Sequence, residues 1–271
     1  MQQIQQLIEQ AYDQRELVKE KEHKQAILHV IEELDKGRLR VAEKKGSDWV
    51  VNEWVKKAVL LYFLVAEMKV MEVGPFEFYD KIPLKKNFKE LGVRVVPPGT
   101  ARYGSYLAPG VVLMPGYVNI GAYVDEGTMV DTHATVGSCA QVGKNVHLAG
   151  AARVGGVLEP PQAQPVIIED NVFVGSAVSI MEGVIVREEA VLGAGVMLTG
   201  STRIIDVSGD ESIEYKGEIP ARSVVVPGTF PKEFPAGTYQ VRCALIIGKR
   251  KPSTDKKVSL NDALRQFNVD V

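Results

Sequence analysis

The residues of this 271-residue chain that could do chemistry are few, and Asp131 comes first among them. It stands in Met129-Val130-Asp131-Thr132-His133, a stretch otherwise poor in charge. Glu182, in Met181-Glu182-Gly183, is a candidate of the same kind. A carboxylate beside a groove can accept a proton from an amine nucleophile. Each also has a plainer reading, as the hydrogen-bonded cap of a corner. Asp125 occupies the same local position as Asp131, but with Glu126 beside it the pair reads as a solvated corner. His133 and His147 lie in the same region, and two imidazoles fall short of the three or four ligands that zinc requires, so no metal site is expected. Lys249-Arg250-Lys251 forms a small basic cluster near the C-terminus. No G-x-x-x-x-G-K-[ST], G-x-G-x-x-G, C-x-x-C or H-E-x-x-H occurs, which leaves phosphate-cradling and dinucleotide folds without support.

A rhythm of six residues must position these groups. Every sixth residue from Val112 is aliphatic: Val112, Val118, Val124, Val130, Val136, Val142, Leu148 and Val154. The phase then slips by two and resumes at Ile168, Val174, Ile180, Val186, Leu192, Leu198 and Ile204. Neither an amphipathic helix nor strand alternation has this period. It predicts a mainly β solenoid in which each hexad is a short strand plus a tight corner. Three hexads make a triangular coil of eighteen residues, and the aliphatic side chains stack inside. A β-sandwich would not hold phase for so long. Small residues two before most inward positions, and glycines at corners that need positive φ, fit the same picture. Residues 107–204 hold 14 of the 25 glycines but only 13 of the 66 charged residues. The slip falls at 155–165, where three prolines predict an external loop with a functional role.

The flanks read differently. Residues 1–95 are expected to form a helical domain. Ile4, Leu7, Ile8 and Leu17 mark one stripe, Ile27, Val30, Ile31 and Leu34 a second that Gly37 ends, and Trp54, Val55, Ala58, Val59 and Tyr62 a third. The β-helix is expected over 96–206 and a small mixed C-terminal domain over 207–271. Val224–Gly228 and Tyr239–Ile247 read there as strands, and Ser259 with Asp262 as a helix start.

Composition narrows the function classes. A net charge of -2 gives no field to attract nucleic acid or an anionic membrane. Two cysteines do not make a disulfide scaffold. The longest apolar run, 58–66, is well short of the roughly 20 residues that span a bilayer. The N-terminus lacks a basic start and an apolar core, so it does not read as a signal peptide, and a cytoplasmic location is expected.

Several stretches carry a resemblance. Gly116-Tyr117-Val118-Asn119-Ile120-Gly121-Ala122-Tyr123-Val124-Asp125-Glu126-Gly127-Thr128-Met129-Val130-Asp131 and the continuation from Thr135 to Leu148 resemble the tetrahydrodipicolinate N-succinyltransferase family. So do Arg40-Val41-Ala42-Glu43-Lys44, Arg94-Val95-Val96-Pro97-Pro98, residues 155–160 and Ser201-Thr202-Arg203-Ile204. The resemblance spans nearly the whole chain. It implies a left-handed parallel β-helix between the two flanking domains, in a homotrimer with active sites between subunits. It further implies transfer of succinyl from succinyl-CoA to the amine of ring-opened tetrahydrodipicolinate, a step of lysine and diaminopimelate synthesis. Succinyl-CoA would be a cosubstrate, with no permanently bound cofactor. Arg94 and Asp131 match the family's substrate-binding residues, and an arginine can grip a carboxylate in bidentate fashion. Lys249 and Arg250 are candidate contacts to the CoA phosphates, from charge alone. One departure stands out. Where some members carry an arginine and a catalytic glutamate, this chain has Ala177 and Ser179. That leaves two readings of catalysis: Glu182 substitutes, or Asp131 acts alone. Another acyl donor such as acetyl-CoA, a zinc lyase on the same prism, and a non-catalytic scaffold are the competing functions.

Overall fold

In the computed structural model residues 1–250 are described; the expected helix at Ser259 and the third cluster residue, Lys251, lie outside them. The hexads form a three-faced parallel β-helix of two-residue strands. The first face stacks Arg94–Val95, Val112–Leu113, Met129–Val130, His147–Leu148, Phe173–Val174 and Val191–Leu192. The second stacks Thr100–Ala101, Tyr117–Val118, Thr135–Val136, Arg153–Val154, Ser179–Ile180 and Met197–Leu198. The third stacks Tyr106–Leu107, Tyr123–Val124, Gln141–Val142, Ile167–Ile168, Ile185–Val186 and Glu218–Ile219. In each pair the second residue turns into the prism and the first turns out, as strand alternation requires. The inward residues from Leu107 to Leu198 are almost completely buried in one continuous core. Each fully buried aliphatic side chain contributes roughly 1.5–3 kcal/mol.

The phase differs from expectation at its start. Leu113, not Val112, is the inward residue, and Val112 is only half-buried. Leu113 pairs with Val130 and Val112 with Met129, so this coil is one residue short. With two adjacent aliphatics, period alone picked the wrong one. Counted backward from Leu113, the rhythm continues through Leu107, Ala101 and Val95, so the first rung is already Arg94–Val95. The prism also outlasts residue 206: Ile219 pairs with Val186 and Val225 with Leu192.

Corners follow one backbone rule. Gly121, Gly127, His133, Cys139, Asn145 and Ala151 all have positive φ at a spacing of six, as do Asn171, Ala177, Gly183, Glu189 and Gly195. Glycine is therefore not obligatory. The ladder on both sides fixes the corner and offsets a strain of about 1–3 kcal/mol at each non-glycine position. Gly183 is a place where glycine is required, because a Cβ there would stand 2.5 Å from the carbonyl oxygen of Gln164.

The N-terminal region is less uniformly helical than its stripes suggest. Helices α1 (Gln2–Asp13), α2 (Lys21–Asp35) and α3 (Glu53–Val65) match the three stripes, with Leu17 on a short 3-10 turn between the first two. Two antiparallel hairpins were not anticipated: Ala42–Lys45 with Asp48–Val51, and Lys69–Val73 with Phe76–Asp80. Gly46 and Gly74 open their tight turns with positive φ, the signal that went unread. The helices bury Ile27, Ile31, Val55 and Leu61 against Ile120 and Cys139 at a prism corner. From α3 the fully buried Lys56 donates to the carbonyls of Pro160 and Ala163, at 3.1 and 2.7 Å, and so ties down the external loop. Burial pulls this amine below its ordinary pKa. The C-terminal strands Ser223–Phe234 and Gly237–Lys249 form a long hairpin on the end of the prism.

The register makes a testable distinction. Leu113→Ala is expected to destabilise the fold by about 2–5 kcal/mol, and Val112→Ala by less than about 1 kcal/mol. Urea unfolding midpoints would check this, and equal losses would refute the shortened coil.

Candidate active site

The three faces are not equally open. The outward residues of the third face are covered by the chain's own N-terminal region. Arg40 lies 3.7 Å over the Tyr123 ring and donates to Gln141 Oε1 at 3.0 Å. Trp49 Nε1 donates to Glu169 Oε1 at 2.9 Å, and Lys44 and Arg187 pair with the same carboxylate at 2.9 and 3.1 Å. Burial pushes Glu169 up, but the Trp49 and Lys44 hydrogen bonds outweigh it and hold the carboxyl below its usual range. The first and second faces keep exposed outward residues: Arg94 on the first, Arg153 and Met197 on the second.

Asp131 opens the corner between these two faces. Its backbone carbonyl accepts the Ala134 N–H at 2.9 Å, closing the turn. Its Oδ1 accepts the Thr132 N–H at 2.6 Å. Asn119 and Asp125 cap their own corners in the same way, at 2.9 and 2.8 Å, so capping alone does not mark a site. The second oxygen does. Asp131 Oδ2 lies 3.5 Å from His147 Nε2, a loose pair at the limit of hydrogen bonding. The side chains are 31% and 41% exposed, so both can be reached from solvent. The Thr132 N–H, with His147 behind it, holds the Asp131 carboxyl below its ordinary range. His147 is itself placed by Phe173, one rung on, in an edge-to-face contact at 5.3 Å.

Arg94 shares this first face. It pairs with Val112, which pairs with Met129, so it sits two rungs, about 10 Å, from the strand that leads into Asp131. It is exposed, and its side chain has no hydrogen bond or ion pair among the described residues. His147 was not singled out from the sequence as a neighbour of Asp131. The signal was available once the coil length is known, because 147 follows 129 by one eighteen-residue coil and so stands beside Asp131.

Glu182 is not brought to Asp131. It lies on the next corner, between the second and third faces, two rungs further along, where its Oε2 accepts the Gly200 N–H at 3.0 Å. Within one chain this is the plainer of its two readings, the corner cap. Ser179 is nearly buried, and Ala177 occupies a corner at positive φ. Lys249 donates to the Ala221 carbonyl and Ser223 Oγ at 3.1 and 2.9 Å, and the mostly buried Arg250 to the Asn171 carbonyl at 3.0 Å. Both side chains fasten the end of the hairpin to the prism. His133 is an exposed corner residue whose N–H meets the Pro115 carbonyl at 2.7 Å. Among the described residues no group of three or more His, Cys, Asp or Glu could hold a metal ion, and no helix is long and apolar enough to cross a membrane. A cavity of about 440 Å³ lies at the far end of the second face, lined by Met197, Gly228, Thr229, Arg242 and Cys243 among others.

The hexapeptide prism and the family matches define the class, a hexapeptide-repeat acyltransferase. Residues 165–200 match the model of the hexapeptide repeat of succinyl-transferase, and residues 3–65 that of the tetrahydrodipicolinate N-succinyltransferase N-terminal region. The 2,3,4,5-tetrahydropyridine-2,6-dicarboxylate N-succinyltransferase of Paraburkholderia phymatum is 54% identical, over 97% of this chain and 98% of its own. Those of Psychrobacter arcticus and Thioalkalivibrio sulfidiphilus are 55% and 52% identical, over 97% and 98% of this chain and 98% and 100% of their own. The chain belongs to the tetrahydrodipicolinate N-succinyltransferase family.

Glu182→Gln keeps an acceptor for the Gly200 N–H. It is expected to leave stability within about 0.5 kcal/mol and acyl transfer within about threefold. A loss approaching 10²-fold in steady-state turnover would give Glu182 a direct part in the chemistry.

Proposed function

We propose that Asp131 and His147 together handle the proton in this chain's succinyl transfer, with Arg94 gripping a carboxylate of the acceptor. The reaction moves succinyl from succinyl-CoA to the amine of ring-opened tetrahydrodipicolinate, L-2-amino-6-oxopimelate, in lysine and diaminopimelate synthesis. The amine nitrogen attacks the thioester carbonyl, an amide C–N bond forms, the C–S bond breaks, and CoA leaves. One amine proton must go elsewhere. A carboxylate held below its ordinary range is a weak proton acceptor, so Asp131 serves best as a fixed anion that orients the amine. The imidazole of His147 beside it takes the proton and returns it to the departing sulfur. Backbone N–H groups at the corners are suited to the oxyanion of the tetrahedral intermediate.

The assembly we infer is a cytoplasmic homotrimer with active sites between prisms. The two open faces support it, since they meet at the Asp131 corner while the third is covered from within. Glu182 could serve this site only from a second copy. The pantetheine arm would run along the open second face toward the cavity beside Met197 and Arg242. Lys249 and Arg250 would meet CoA phosphates only by giving up the contacts that secure the hairpin, so Arg242, exposed at the cavity, is better placed.

The observation that carries this reading is the exposed Asp131–His147 pair. Asp131→Asn is expected to lower kcat/KM for succinyl transfer by about 10²-fold or more with the fold intact. His147→Gln should lower kcat by about 10-fold or more with the fold intact. Wild-type turnover in Asp131→Asn would sink the role. Sedimentation should give three times the 29.7 kDa chain mass, and a monomer would contradict the shared site.

A further inference from the structure

Arg153 stands at the middle of the open second face. The outward residues of that face run Thr100, Tyr117, Thr135, Arg153, Ser179 and Met197. Register places Arg153 directly between Thr135 and Ser179, one rung from each, about 4.8 Å along the ladder. It is exposed, and its side chain has no hydrogen bond, ion pair or ring contact among the described residues. Arg94 apart, other arginines of the prism behave differently. Arg102 pairs with Asp80, Arg187 with Glu169 and Glu218, and Arg203 with Glu214. An unpaired guanidinium in so charge-poor a surface adds nothing to the fold, and flanking hydroxyls make its surroundings polar.

Its place relative to the reacting edge is also fixed. Arg153 follows His147 by one hexad, across the corner that stacks directly on the Asp131 corner, where the Ala151 N–H meets the Thr132 carbonyl at 2.9 Å. A planar carboxylate is the ligand that a free guanidinium takes in bidentate form. Ala177 and Ser179 leave the upper part of this face without charge, and Arg153 supplies a cation one rung from Ser179.

We propose that Arg153 is a carboxylate-binding specificity residue of this active site. The inference rests on the succinyl-transfer reading. That reaction offers the same chemistry from two sources: the free carboxylate of the succinyl group and a carboxylate of the acceptor.

The test compares wild type, Arg153→Ala and Arg153→Lys with succinyl-CoA and acetyl-CoA as donors, and with the acceptor titrated at saturating donor. Arg153→Ala is expected to raise one KM by about 10-fold or more while kcat changes less than about threefold, with partial recovery in Arg153→Lys. If the donor carboxylate is bound, the preference for succinyl-CoA over acetyl-CoA collapses and the acceptor KM holds. If the acceptor carboxylate is bound, the acceptor KM rises and the donor preference holds. Either result supports the proposal. An active wild type whose two KM values and donor preference survive Arg153→Ala overturns it. A wild type without succinyl transfer would instead overturn the reading beneath it.

Discussion

Everything in this molecule depends on the parallel backbone ladder and on its need to close after three short strands. Each rung exchanges N–H···O=C bonds with the coils before and after it, as where Asp131 donates to Leu148 at 3.0 Å and His147 to Val172 at 3.1 Å. To keep that register, the chain must turn at each corner within four residues. Most corners then pass through the left-handed region, whether the residue there is Gly127, His133 or Ala177. The ladder thus imposes the strain and also holds it in place. Insertions are accepted only where the ladder can resume unshifted, and the external loop at 155–165 does this: Gln141 still pairs with Ile167 across it.

The same constraint separates stability from chemistry. In every two-residue strand the inward side chain builds the core and the outward one is free of it. Active-site groups are consequently set by rung and face rather than by packing. His147 comes beside Asp131 because both belong to adjacent rungs of one face. Glu169 shows the opposite use of an outward carboxylate. Buried under the hairpin and held by Trp49, Lys44 and Arg187, it stays ionised and closes the third face. Its folded-state pKa is depressed, so its contribution to stability is present above the ordinary carboxylate range and fades as pH falls through the lowered value.

Much of this was legible in the sequence, and the failures have physical causes. The period of six identified the solenoid because an inward aliphatic in every strand, held in phase over so many hexads, does not suit a sandwich. It misplaced the first inward residue because Val112 and Leu113 are equally apolar, and only hydrogen-bond register distinguishes them. The two N-terminal hairpins escaped because their strands are short and largely exposed, so their alternation was weak beside the helical stripes. Asp131 was singled out through the scarcity of charge around it. Glu182 looked equivalent because both follow inward aliphatics, but counting three hexads to a coil puts Val130 on the first face and Ile180 on the second. The basic pair at 249–250 was legible as charge. That its side chains turn onto the prism was not, since this depends on where the hairpin ends.

The departure at Ala177 and Ser179 bears on how the reaction is shared among residues. An anion held by the Thr132 N–H is well suited to orient an amine and poorly suited to take its proton. The second face carries no carboxylate at 179, and the proposed proton transfer therefore falls to the imidazole that the ladder sets beside Asp131. Such a change is structurally inexpensive in this fold. An outward residue can be exchanged without disturbing the inward one that follows it, as Ser179 stands beside Ile180 and Arg153 beside Val154. A prism of this kind can therefore keep its core while the polar pattern on an open face is redistributed among rungs. On the proposed reading the chemistry belongs to the edge as a whole, and the imidazole on one rung takes the part of a carboxylate missing from another.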